Sequence, residues 1–372
     1  MVEFFSTPLG NRLAPKSIEN TVSNLKILLK VSKVSTFKEL LNENVINFVV
    51  GTLEKNQCDG GRNLKGTTLR NYLGSLKHLV SFYRSNKLKF PSYESQYLTE
   101  ITDNLSHLSQ GLKDKIRSEG FDQHRTVQEK MITHQDVLKY LEHKDRLETF
   151  DKVKGEVNQS RLDSTTYCHI LGTIFIEISL HNANRSGEIW LMTLEQYENG
   201  EMQENGSFII EARKHKTGSF GESYVVLKPY VLELVQHYLD KFRVKVQAPS
   251  SPDVVFLNSM GGAMKSSYVS TYMNNVWQHM GLKTQISTTN VRKFVVTTLR
   301  ELPEQERNNL SIKMCHKKTT ADRYYNMLDR KKVAVEIGDV MLDRLLSEGK
   351  KKTPVGLPSS SQLSSKFISN RV

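Results

Sequence analysis

The sequence is poor in cysteine and has no long hydrophobic run. Its 372 residues include three cysteines, at positions 58, 168 and 315, too far apart for a CxxC zinc motif. This spacing argues against a disulfide framework and predicts a reducing compartment. The longest apolar run, residues 170–180, contains Glu177 and is too short to span a bilayer, so we expect no membrane partner. The first residues show no basic stretch followed by an apolar one, so no secretory signal is predicted.

Positive charge, by contrast, is abundant. There are 52 Lys and Arg residues against 40 Asp and Glu, which gives a net charge of +12 and a pI of about 9.4. A basic surface can simply keep a protein soluble. A surplus of this size more often indicates a polyanionic partner, because each Lys or Arg that neutralises a phosphate releases counterions. An intracellular nucleic acid is therefore the expected partner.

The periodicity of apolar residues predicts a helical first domain over residues 1–125. The clearest helix covers residues 67–87, and other helices are predicted at 17–31, 36–41, 45–54 and 93–117. Three cations lie seven residues apart on another face of the clearest helix: Arg70, Lys77 and Arg84. They are candidate DNA contacts, with an ordinary solvated face as the alternative. Residues 118–128 show no periodicity and are predicted to form a linker.

The second domain, residues 126–348, is predicted to be mostly helical with one small sheet. A helix follows the cap at Thr133, and further helices are predicted at 164–180, from 229 onward, and at 266–280, 290–299, 304–314, 319–328 and 330–346. Two β-like runs, SFIIEARKHKTG and ESYVVLK, flank a glycine-containing turn and predict a hairpin. VVFLN predicts a short strand. The fold class is thus mainly α (α+β) with a small antiparallel β-sheet, followed by a disordered basic, Ser-rich tail at 349–372.

Five motifs in the second domain carry residues suited to phosphate chemistry. They are NRSGE with Arg185 and Glu188, RKHKTG with Lys214 and Lys216, TTNVRKF with Thr289, Arg292 and Lys293, then His316, then Tyr324 and Tyr325. GGAMKS lacks the glycine before lysine that an ATP-binding loop needs.

Breaking a DNA strand without a metal requires this kind of set. Guanidinium groups can hold the phosphate oxygens with paired hydrogen bonds. A tyrosine hydroxyl can attack and form a phosphoester, and a lysine can protonate the leaving oxygen. No metal, ATP or other cofactor is needed.

The order of Arg185, Lys216, Arg292, His316 and Tyr325 resembles the catalytic domain of tyrosine recombinases of the lambda-integrase type. The resemblance implies that the two arginines hold the phosphate, Lys216 is the general acid and His316 supports the transition state. The family's nucleophile follows its histidine by nine residues, which selects Tyr325 as catalytic and leaves Tyr324 to packing. HKTG resembles the family's hairpin turn and favours Lys216 over Lys214, which becomes a phosphate contact.

The resemblance extends to the whole chain up to about residue 348. It implies that a helical N-terminal domain and the catalytic domain clamp double-stranded DNA. It also implies a homo-oligomer, a dimer or tetramer on DNA, that forms through a C-terminal helix at about 330–346.

One position departs from the family pattern: Thr289 stands where a histidine is usual, three residues before the second arginine. Glu188 is expected to orient a neighbouring cation. Lys293 either lies on an exposed helix face or assists at the position of the missing histidine. TTNVRKFVVTTL also resembles crypton-type transposon recombinases of eukaryotes, which implies integration or excision of a mobile element in the nucleus. In a prokaryote the expected place is the cytoplasm or nucleoid.

Two other functions remain open. Thr289 motivates the first, a domesticated DNA-binding protein that keeps the recombinase fold without cutting DNA. The second is a type IB topoisomerase, which relaxes supercoils by similar chemistry.

Overall fold

The chain is mainly helical, as its sequence predicts, and carries one small antiparallel sheet. The computed structural model describes residues 2–7, 13–54, 64–86, 95–155, 163–212, 222–299 and 302–315. It divides the chain into two compact units, residues 1–127 and 128–372. Within the described ranges, every helix is too short or too polar to cross a membrane. The predicted helices at 319–328 and 330–346 and the tail lie outside the described residues.

The first unit contains helices only among its described residues. Their bounds are α1 Val2–Ser6, α2 Pro15–Ser32, α3 Phe37–Leu40, α4 Glu43–Glu54, α5 Gly66–Ser85 and α6 Ser95–Glu129. The apolar stripe of α5 is buried against the other helices, with Leu69, Leu73 and Leu76 almost fully excluded from solvent. A hydrogen bond of 3.0 Å from Asn24 Nδ2 to Ser75 Oγ joins α2 to α5.

The predicted linker is helical: residues 118–128 continue α6 to Glu129, and the boundary between the two units falls within them, after Val127. The sequence shows no apolar stripe there because most of these side chains are exposed and have no core to face. Local contacts accompany the last turns, such as Thr126 Oγ1 donating to the Asp122 carbonyl at 3.0 Å. An exposed helix of this kind leaves no periodic signal.

The second unit surrounds one apolar helix. Its helices are α7 His134–Glu142, α8 Lys144–Lys154, α9 Ser164–Asn182, α10 Ser186–Trp190, α11 Leu194–Glu198, α12 Pro229–His237, α13 Val244–Val246, α14 Ser266–His279, α15 Thr288–Thr298 and α16 Glu304–Lys313; a π-helical turn at Tyr238–Arg243 joins α12 to α13. Most residues of α9 are buried, which makes it the centre of the core.

Helix α14 packs against α9 at very short range. Ser266, its first residue, hydrogen-bonds Ser186, just beyond the end of α9, at 2.7 Å. Its last residue, His279, stacks edge-on with His169 near the start of α9. The two helices are therefore antiparallel. At Gly172 they approach so closely that a Cβ atom would lie 2.4 Å from the Tyr272 carbonyl oxygen.

The sheet has three antiparallel strands: β1 Glu201–Met202, β2 Phe208–Glu211 and β3 Tyr224–Leu227. Strands β2 and β3 pair in register from Phe208 opposite Leu227 to Glu211 opposite Tyr224, so the predicted hairpin is confirmed. The predicted strand over residues 254–258 is wrong. That segment makes only isolated bridges, because Val254 pairs with Thr193 and Leu257 with Ala263 rather than with a continuous neighbour.

Candidate active site

The site begins where α9 ends. Ala183 caps α9 in the left-handed region, with φ of 51°, and so turns the chain sharply. Two residues later Arg185 stands in an extended conformation at the N-cap position of α10. An alanine in the left-handed region is strained, and such residues concentrate at functional sites. From this position the Arg185 side chain reaches the Met314 carbonyl at the end of α16.

Arg292 reaches the same place from α15. Ser287 caps this helix by accepting a hydrogen bond from the Asn290 amide at 3.2 Å, so α15 starts two residues before the predicted position. Arg292 is only 2% exposed. Its two terminal nitrogens donate to the Ala183 carbonyl at 2.6 Å and the Met314 carbonyl at 3.1 Å. Both carbonyls lie at helix C-termini, where partial negative charge favours a guanidinium.

The two arginines converge on one backbone oxygen. Arg185 Nη1 lies 3.4 Å from the Met314 carbonyl that Arg292 also contacts. Arg185 Nη1 also lies 3.5 Å from Glu188 Oε1, so Glu188 contacts this cation. Asn184 Nδ2 holds the other carboxylate oxygen of Glu188 at 2.5 Å. Two permanent positive charges are thus held side by side.

Cys315 joins this cluster to the hairpin. It has a left-handed backbone, with φ of 47°, and its thiol donates to the Glu222 carbonyl at 3.0 Å. Burial raises the pKa of the Cys315 thiol, while the positive charges of Arg185 and Arg292 oppose that rise. Glu222 directly precedes the buried Ser223 and β3, so the contact ties the end of α16 to the end of the hairpin that is nearest the turn.

Asn182 holds the hairpin to α9. Its side chain amide donates to the Val226 carbonyl at 2.8 Å, and its oxygen accepts from the Val226 amide at 2.8 Å. These two hydrogen bonds fix β3 against the last turn of α9. Strand β3, both arginines and the end of α16 therefore belong to one packed region.

The described residues include part of the predicted site. They bring Arg185, Glu188 and Arg292 together. Thr289 lies exposed in the first turn of α15, and Lys293 is half-buried one residue after Arg292. The remaining predicted residues lie outside the described ranges, and their roles stay predictions: Lys214, Lys216, His316, Tyr324 and Tyr325.

The three predicted DNA contacts of the first unit differ in exposure and in hydrogen bonding. Arg70 is exposed. Lys77 donates to Ser106 Oγ at 3.0 Å, and Arg84 contacts the Leu98 carbonyl at 3.3 Å, so both join α5 to α6. Their role in DNA binding stays a prediction.

Several structural features around the two arginines gave no signal in the sequence. The carbonyls of Ala183 and Met314 are backbone atoms, which no residue type reveals. Lys313 lies three residues before His316 but belongs to no motif. Among the described residues, no group of three or more His, Cys, Asp or Glu side chains is arranged to hold a metal ion.

Three similar chains of known structure are recombinases. XerA recombinase is 12% identical, with a TM-score of 0.36 over 90% of this chain and 95% of that one. XerH site-specific recombinase bound to difH substrate, a pre-cleavage complex, is 15% identical, with a TM-score of 0.41 over 86% of this chain and 94% of that one. XerH bound to palindromic difH in a post-cleavage complex is 14% identical, with the same TM-score and coverage of 86% and 95%. No protein-family model and no curated relative matches the sequence.

Proposed function

We propose that this protein is a tyrosine recombinase that cuts and rejoins double-stranded DNA through a 3′-phosphotyrosyl intermediate. The convergence of Arg185 and Arg292 on the Met314 carbonyl carries the proposal. Two arginines from distant segments, 107 positions apart (292 − 185), meet in one place, as a clamp for both non-bridging oxygens of a phosphate requires. The cluster also contacts the two segments that lead to the other proposed residues: Cys315 directly precedes His316, and Glu222 follows the turn with Lys216.

The proposed reaction conserves the phosphodiester bond energy. The Tyr325 hydroxyl releases its proton to water and its oxygen attacks the phosphorus. A bond forms between this oxygen and phosphorus, and the bond from phosphorus to the 5′ oxygen breaks. Lys216 donates a proton to that oxygen, which leaves as a hydroxyl. Arg185, Arg292 and His316 hold the phosphate while negative charge develops on its oxygens. A 5′ hydroxyl of a second strand then reverses the step.

Strand exchange requires two duplexes and therefore more than one protomer. We propose a dimer or tetramer on DNA, joined through the segment at about 330–346. Integration or excision of a mobile element in the nucleus is the proposed setting.

Covalent trapping tests the function. The full chain is incubated with duplex DNA, from the flanks of its own gene or from a random-sequence pool, that carries a nick or a bridging phosphorothiolate. A denaturation-resistant adduct is expected with the natural protein and with Tyr324→Phe, but not with Tyr325→Phe. An adduct lost only in Tyr324→Phe would reassign the nucleophile.

A matched pair of variants tests the arginine clamp. Arg243, like Arg292, is a buried arginine that donates to a backbone carbonyl, Val254, at 3.1 and 3.0 Å. The adduct per folded molecule should fall at least tenfold in Arg292→Lys and should persist in Arg243→Lys. Equal losses in the two variants would contradict a role for Arg292 in holding phosphate.

A second candidate is a DNA-binding protein that no longer cuts. Thr289 favours it, because this exposed threonine cannot titrate near neutral pH as the usual histidine does. DNA that binds in the trapping experiment without any adduct, at every substrate geometry, would favour this second function.

A further inference from the structure

The last turn of α9 carries a second positive cluster beside the two arginines. Lys313 Nζ donates to the His181 carbonyl at 3.3 Å. Lys228 follows β3, two residues after Val226, which Asn182 holds with two hydrogen bonds. Two lysines from segments that are far apart in the sequence therefore each lie near the last turn of α9.

In the part of the chain that the structure describes, no acid is paired with either lysine. Among the described residues, neither Lys228 nor Lys313 forms an ion pair with a carboxylate, whereas Lys154 pairs with Glu233 at 2.6 Å. Burial and the charge of Lys228 lower the pKa of Lys313. Burial, followed by the charges of Lys313 and Lys228, lowers the pKa of His181 to about 4. This histidine is therefore neutral at pH 7 and carries no charge that could compensate the two lysines. Like charges held together without a counter-ion favour an anionic ligand.

The lysines and the arginines use adjacent backbone positions. Arg292 contacts the carbonyls of Ala183 and Met314, while Lys313 directly precedes Met314 and contacts His181, two residues before Ala183. Neighbouring Cα atoms are about 3.8 Å apart, so the backbone atoms that the lysines contact lie only a few residues from those that the arginines contact. A DNA strand presents a phosphate for every 3.4 Å of helix rise, so one strand can supply anions to both clusters.

We propose that Lys228 and Lys313 form a second phosphate site, which binds a backbone phosphate of duplex DNA next to the one held by Arg185 and Arg292. This proposal rests on the proposed function, because it assumes that the arginine cluster takes a DNA phosphate. The second site fixes the register of the strand, so that the phosphate to be cut lies between the arginines.

The salt dependence of DNA binding tests this site. Lys228→Gln, Lys313→Gln and the double variant are made in the Tyr325→Phe background, so that binding is measured without cutting. Glutamine at position 313 keeps an N–H donor for the His181 carbonyl and removes only the charge. Binding to a labelled duplex is followed by fluorescence anisotropy at several salt concentrations.

Each lost phosphate contact should reduce the slope of log K against log salt concentration by about 0.9, and the double variant by about twice that. Lys283→Gln is the matched control. Lys283 is exposed, like Lys313, and has no acidic partner among the described residues. It follows α14, whose last residue, His279, contacts His169, about 20 Å along α9 from Asn182. Its slope should equal that of the parent.

The outcomes separate this site from the proposed function. Slopes in the double variant equal to those of Lys283→Gln overturn the second phosphate site, even where the natural protein forms the covalent adduct. Reduced slopes without any adduct support the site and contradict the cutting activity. Lys313→Arg should restore the slope, and a slope that stays low would show that the lysine acts through packing rather than charge.

Discussion

Glu177 is the buried acid on which the core of the second unit depends, and we expect its removal to be severely destabilising. It lies on α9 and is 2% exposed. Arg146 donates to both of its carboxylate oxygens, at 2.6 and 3.3 Å. The hydroxyls of Tyr140 and Tyr230 add bonds of 2.8 and 2.9 Å. One carboxylate thus joins helices α7, α8, α9 and α12.

The magnitude follows from what Glu177→Ala leaves behind. The Arg146 side chain, 13% exposed, would keep its charge with no carboxylate in the network, and two hydroxyls would lose their acceptor. Removing one partner of a buried ion pair costs about 3–5 kcal/mol. Glu177→Gln keeps the shape and an acceptor oxygen for one hydroxyl, so its loss should be smaller, about 1–3 kcal/mol.

Denaturant unfolding followed by tryptophan fluorescence measures this loss in the full chain. Both tryptophans of the sequence, Trp190 and Trp277, belong to the second unit, so the signal reports on that unit. Glu233→Ala is the matched control. Its carboxylate pairs with Lys154 at 2.6 Å on the surface, where it is 46% exposed, and its removal should cost no more than about 1 kcal/mol. Equal losses in Glu177→Ala and Glu233→Ala would refute the reasoning.

Three further changes probe the region around the site. Gly172→Ala should lower the free energy of unfolding by about 1–3 kcal/mol, because its Cβ would lie 2.4 Å from the Tyr272 carbonyl; a melting temperature unchanged from the parent would contradict the close helix contact. Asn182→Ala removes both 2.8 Å bonds to Val226 and should cost about 1–3 kcal/mol in unfolding titrations, with less covalent adduct per folded molecule; full adduct yield would show that the hairpin needs no such anchor. Burial lowers the pKa of His181 to about 4 from its ordinary 6.5. The contribution of this neutral histidine to the free energy of unfolding is therefore fully present above pH 6.5 and is lost as pH falls towards 4. Between pH 4 and 7 the free energy of unfolding should depend less on pH in His181→Gln than in the parent, and identical profiles would contradict the lowered pKa.

The sequence predicts those parts of the fold in which a core imposes a pattern on the chain. Helix α9 was predicted because its apolar residues are buried on all sides, and the hairpin because β-like runs flank a turn. The end of α6 was missed, since exposed turns leave no apolar stripe. The start of α15 was placed late because STTN offers four successive residues that can cap a helix, and only the bond from Ser287 to the Asn290 amide decides between them.

In the candidate site, the sequence predicts which side chains take part but not which backbone atoms they contact. Arg185 and Arg292 were found because a guanidinium is a side-chain property that the sequence states directly. Their meeting point, the carbonyl of Met314, could not be found, because every residue has a carbonyl and only the fold selects one. The seven-residue spacing of Arg70, Lys77 and Arg84 correctly indicates a shared face of α5. Whether that face meets another helix or solvent is decided by tertiary packing.

In the described part of the chain, buried charge is compensated in the middle of α9 but not at its end. In the middle, Glu177 is buried with a guanidinium and two hydroxyls, so its charge is fully compensated. At the end, burial and the charge of Lys228 lower the pKa of Lys313, and no carboxylate among the described residues pairs with either lysine. Only a few residues separate the two arrangements on one helix. The difference is explained when the end of α9 faces an anion that binds from outside, because the free energy lost in the unliganded protein is then recovered when DNA binds.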